Sequence, residues 1–132
     1  MSIEEIRTYA LSLPYTVETM PFDDTTLVYK VGGKWFAVAD LDQNDKVVVK
    51  CDPDIAVELR DLHEEITEAW HFNKRHWNDL NVEMLPDDIV RRELRHSYFT
   101  VIRKNVHPKA LREEVLSIAF ESGLQDDAVL PE

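Results

Sequence analysis

The chain has 132 residues, the size of one domain, and its 44% hydrophobic and 31% charged residues permit a packed core and exclude a wholly disordered chain. The formal net charge of −11 argues against indiscriminate binding of nucleic acid or anionic membrane. No run of about 18 apolar residues offers a membrane span, and the acidic start Met1-Ser2-Ile3-Glu4-Glu5 lacks an apolar signal core, so the expected location is cytoplasmic.

Ser2 with Glu5 three positions on is a capping box, and Ile3, Ile6, Tyr9, Ala10 and Leu13 recur at helical spacing. A first helix is predicted over about 2–13, stopped near Pro14. Strands are predicted over Val17 to Met20, Thr26 to Val31 and Lys34 to Ala39, the last two joined by a Gly32-Gly33 hairpin turn. Leu41 to Asp45 reads as a turn with Asn44-Asp45 at its tip, and Lys46 to Lys50 as the next strand. Asp52 as N-cap and Pro53 at the first helical position open a second helix over about 53–63. Residues 66–77 read as irregular and aromatic, and Asn78 to Met84 as a return to the sheet. A third helix runs from Leu85-Pro86-Asp87-Asp88 to about 104, with Val90, Leu94, Tyr98 and Val101 as its buried stripe. His107-Pro108 starts a fourth, ended by Gly123, and 124–132 reads as a frayed acidic tail.

The charge is segmental. The chain is acidic up to residue 68 and again after 112. Between 89 and 112 it carries Arg91, Arg92, Arg95, Arg103, Lys104, Lys109 and Arg112 against one acid, Glu93. Three readings stand for this stretch: a solvated helix face, a small patch facing a polyanion, or contact with the protein's own acidic regions or a partner chain.

The segment His71-Phe72-Asn73-Lys74-Arg75-His76-Trp77-Asn78 gathers cations, amides and aromatics. Such a set can hold phosphate and stack a base; equally, Phe72 and Trp77 can pin a loop while Asn73 and Asn78 bond local backbone. The candidate ligand-binding residues are Asn73, Lys74, Arg75, His76 and Trp77, with Arg91, Arg92 and Arg95. No metal site is expected, because the histidines have no ligand spacing and Cys51 stands alone. With three glycines there is no phosphate loop or dinucleotide fingerprint, and no cofactor is expected. His71, His76 and Cys51 are only loose catalytic candidates, so the residues point away from an enzyme.

Taken in order, Pro21-Phe22, Lys30-Val31-Gly32-Gly33-Lys34 with Phe36-Ala37, Lys50-Cys51-Asp52-Pro53, the 71–78 segment, Leu85-Pro86-Asp87 and His96-Ser97-Tyr98 form a pattern. On these pieces the chain resembles the MmcQ/YjbR-like family of small bacterial proteins, the Asn-Lys-x-His-Trp piece being the most specific. The resemblance implies a CyaY-like α/β fold of the α+β type, a curved antiparallel sheet with helices on one side. It also implies the double-wing DNA-binding arrangement proposed for that family. The family-like domain would span 1–106, with 107–132 as an added helix and acidic tail. Two features depart from the pattern: Asp23-Asp24 where glycine is frequent, and the extension after residue 106. The expected function is therefore DNA-associated regulation, with a non-enzymatic module for a small anion or a protein partner as the alternative.

Overall fold

The computed structural model describes residues 1–127. Among the described residues, four helices and six strands follow in the order α1 (Ile3–Ser12), β1 (Thr16–Thr19), β2 (Thr26–Val31), β3 (Lys34–Asp40), β4 (Gln43–Lys50), α2 (Pro53–Leu62), β5 (Ile66–Glu68), β6 (Trp77–Asn81), α3 (Asp87–Asn105) and α4 (Lys109–Glu121). The strands form one open antiparallel sheet in the order β1-β2-β3-β4-β6-β5. The class is α+β, as the sequence predicts.

Local chemistry sets the helix ends. Both bonds of the Ser2–Glu5 capping box are present, and the Asp52 side chain accepts from Asp54 N–H with Pro53 in the first turn. α3 lies across β2, β3 and β4, with α1 beside β1, α2 beside β5 and α4 on α3. Leu27, Tyr29, Ala37, Ala39, Val47, Val49 and Leu80 turn one sheet face toward the helices and are all buried. Tyr29 lies opposite Ala37 and Lys30 opposite Trp35, so Phe36 is the extra residue of a bulge. The bulge turns Phe36 inward, where it meets Tyr98 of α3 edge-to-face at 5.6 Å. The opposite face keeps Thr26, Trp35, Val38, Lys46, Val48 and Asp79 only partly covered or exposed.

Four segments differ from the sequence reading. Asp40 pairs with Gln43, so the β3–β4 turn is Leu41-Asp42 and β4 begins three residues earlier than expected. Ile66–Glu68 forms a short edge strand on β6, fixed by burial of Ile66. β6 starts at Trp77 and stops at Asn81, whose side chain caps Glu83 N–H and Met84 N–H and turns the chain toward α3. The tail is not frayed through its described part: Leu124 packs on the core, and Asp126 and Asp127 bond to α3. The remaining residues of that predicted tail, 128–132, lie outside the described residues.

Candidate functional site

The loop between β5 and β6 is held by its own backbone. Phe72 N–H donates to Ala69 O, His76 and Trp77 N–H donate to Asn73 O, and Arg75 N–H donates to Asn73 Oδ1 at 3.1 Å. Asn73 therefore builds the turn through its Oδ1 and its backbone carbonyl. Trp77 pairs with Lys50 in the sheet and leans on Phe72 at 5.1 Å between ring centroids. His76 O accepts from Cys51 N–H, tying the loop to the start of α2. These contacts leave Lys74 and Arg75 exposed at the loop tip.

That tip is one side of a basic end of the molecule. On the other side is the β2–β3 hairpin, where Gly32 takes φ +56 and lies so close to Val106 that a Cβ would sit 2.8 Å from both its methyls. Between them end β4 and α3. The Lys50 ammonium donates to Asn105 Oδ1 at 2.8 Å and stands 5.9 Å from the Trp77 ring centroid. A shallow pocket of about 320 Å³ is lined by Gly33, Lys34, Trp35, Lys50, Trp77 and Asn105. Burial and then the charge of Lys104 lower the pKa of Lys50. Burial lowers that of His76 too, followed by repulsion from Lys50, Lys104 and Arg75. Among the described residues, Lys34, Lys50, Lys74, Arg75 and Lys104 have no ion-pair partner.

Arg91, Arg92 and Arg95 do not join this end. Arg91 borders Glu4 and Glu5 of α1. Arg92 Nε donates to Glu93 at 2.9 Å. Arg95 donates to Tyr9 OH at 3.0 Å and to Asp127 at 3.1 Å. Twelve residues of helix separate Arg92 from Lys104, roughly 18 Å of axis. Lys34 and Lys50 escape a reading of the sequence, and Lys104 is visible there only as part of the 89–112 run, because the three are far apart along the chain and only the antiparallel register and the end of α3 assemble them.

The remaining chemistry-bearing groups are structural in their surroundings. Cys51 is fully buried, and burial, with Glu93 and Asp52 nearby, pushes its thiol far up, opposite to what a thiolate nucleophile needs. His96 Nε2 accepts from Asp52 N–H at 3.1 Å, which leaves the ring proton on Nδ1 to bond Asp126 at 2.9 Å. Among the described residues, no three His, Cys, Asp or Glu side chains are grouped to hold a metal ion. No helix of the described residues is long and apolar enough to cross a membrane.

The family model for YjbR matches residues 11–100. The uncharacterized protein YjbR of Escherichia coli strain K12 is 26% identical over 120 residues, covering 89% of this chain and 100% of the relative. The uncharacterized protein YbdF of Escherichia coli O157:H7 is 31% identical over 75 residues, 56% of this chain and 62% of that one. A crystal structure of a Deinococcus radiodurans protein with the DUF419 domain superposes with a TM-score of 0.80 at 34% identity, covering 95% of this chain and 90% of that chain. A Pseudomonas syringae protein at 20% identity shares the fold, with a TM-score of 0.64 over 74% of this chain and 96% of that one. The chain belongs to the YjbR family.

Proposed function

We propose that this YjbR-family protein is a non-enzymatic binding protein that contacts the phosphate backbone of DNA through its basic end. The observation that carries the reading is the convergence of Lys34, Lys50, Arg75 and Lys104, without ion-pair partners among the described residues, on a chain of net charge −11. The β2–β3 hairpin meets Val106 just after α3, and Trp77 at the end of the 69–77 loop meets Lys50, itself bonded to Asn105, so both segments come near the C-terminal turn of α3, where a duplex could touch them together. Elsewhere the surface is acidic and repels the duplex, so the contact is local and sensitive to salt.

The test is a titration of labelled duplex DNA at several salt concentrations. If each of the four cations meets one phosphate, log K falls against log salt with a slope of about −3.6. Arg75→Glu with Lys104→Glu abolishes binding at micromolar protein, whereas Arg91→Ala with Arg92→Ala leaves it within about two-fold, because those arginines lie elsewhere. No binding in low salt defeats the reading.

The pocket bounded by Lys34, Lys50 and Trp77 favours a second reading, a small phosphate-bearing ligand. Thermal stabilisation by inorganic phosphate or a phosphorylated metabolite, following RT ln(1 + [L]/Kd), with no affinity for the duplex, selects it.

A further inference from the structure

The open face of the sheet carries a second cavity, of about 450 Å³, within the size range of small-molecule sites. Its floor includes Val38 and Val48, paired across β3 and β4. One wall is Phe22 set edge-to-face on Trp35 at 5.3 Å; the other is Trp70 and Phe72 from the loop before β6. These rings are not there to fill the core. Phe22 is 65% exposed and Trp70 80%, the latter touched by the Lys74 ammonium at 4.6 Å from its centroid. Aromatic walls facing water leave apolar area that a flat ligand would cover, at roughly 25 cal/mol per Å².

The polar group in the cleft narrows the chemistry. Asp79 of β6 lines it, and its Oδ1 is buried with no hydrogen-bond partner among the described residues. Burial raises the Asp79 carboxyl, with the charge of Lys46 opposing. An acceptor without a donor is costly, and a ligand N–H toward which the half-buried carboxyl turns removes that cost. A plain hydrocarbon would leave it unpaired. A cation would meet Lys46 and Lys74, and an anion Asp40 and Asp79.

We infer that this cleft binds a flat, neutral heteroaromatic group with an N–H donor, of the nucleobase class, stacked between the aromatic walls and bonded to Asp79. The site shares Trp35 with the pocket at the basic end but needs none of that end's cations, because a nucleoside carries no phosphate.

The test follows the three indole N–H signals by NMR during titration with adenosine and with N6,N6-dimethyladenosine, whose base has no N–H donor. Adenosine is expected to shift Trp35 and Trp70 saturably, leaving Trp77 nearly unmoved, and the dimethyl analogue to bind about ten-fold more weakly. Trp70→Ala, at an exposed loop position, weakens adenosine about ten-fold. Asp79→Ala erases the difference between the two nucleosides. Lys104→Glu leaves adenosine binding unchanged, so a protein that fails with duplex DNA still passes here. A single-stranded trinucleotide binding more tightly than the nucleoside assigns the base to a strand; equal binding assigns a free nucleoside. Unmoved Trp35 and Trp70 signals at millimolar nucleoside overturn the inference. So do shifts that follow protein concentration alone, which mean that a second copy covers the face.

Discussion

Replacing Asp126 by Ala probes how the chain after α4 is held to α3. The Asp126 side chain is 12% exposed and that of His96 is 5% exposed. With Nε2 occupied by Asp52 N–H, the Nδ1–H of His96 has Asp126 as its acceptor. Removing the carboxylate orphans that buried donor, at about 1–3 kcal/mol. The lost pair with Arg103, itself 47% exposed, adds about 0–1 kcal/mol. The sum is about 1–4 kcal/mol, a fall in urea midpoint of order 1 M. Asp127→Ala removes only an exposed partner of Arg95 and costs at most about 1 kcal/mol. Burial tends to raise the Asp126 carboxyl, but the hydrogen bonds and charges of His96 and Arg103 outweigh it and hold the carboxyl below its ordinary range. Its folded value is thus the lower one, so its contribution is complete above the ordinary carboxylate pKa and fades as pH falls through the folded value. Urea denaturation followed by circular dichroism should show the Asp126→Ala deficit shrinking in acid. Equal costs for the two aspartates, or a deficit independent of pH, would refute the latch.

Two further outcomes are expected. Gly32→Ala combines positive φ with a 2.8 Å clash against Val106 and costs about 2–3 kcal/mol by denaturation, whereas Gly33→Ala, at φ +79 with open space around it, carries backbone strain alone and costs about 1 kcal/mol. Similar losses at the two positions would show that hairpin contact with α3 contributes nothing. Glu93 is buried, and burial raises its carboxyl despite Arg92. Its folded value is the higher one, so its contribution is full below the ordinary carboxylate pKa and lost as pH rises. Glu93→Gln should therefore gain stability over the parent as pH rises above the ordinary carboxylate range. A gap that stays constant or moves the other way contradicts this.

Much of the fold is legible in the residues. Ser2 and Glu5, Asp52 and Pro53, and the Gly32-Gly33 pair each act locally, and the structure places helix ends and turn where they imply. Ile66–Glu68 is not legible, because three residues hold a strand only through their neighbour β6. The early start of β4 comes from pairing with Asp40, which the polar Gln43-Asn44-Asp45 run does not announce. In the candidate site, Lys74 and Arg75 are visible as a sequence cluster, while Lys34, Lys50 and Lys104 become neighbours only in three dimensions. The basic run at 89–112 misleads for a physical reason. Arg95 and Arg103 answer aspartates more than twenty residues away, so part of that charge is spent inside the molecule. Of the readings open for that run, contact with the chain's own acidic regions holds for those two residues.

The sheet's two outermost strands are β1, four residues long, and β5, three residues long. A newcomer strand finds few unpaired backbone groups at either margin, and Thr67 and Glu68 face water along one of them. Edge-to-edge polymerisation therefore has little to template on. That economy lets the protein leave a row of aromatic rings uncovered on one face without inviting its own copies to zip onto the sheet.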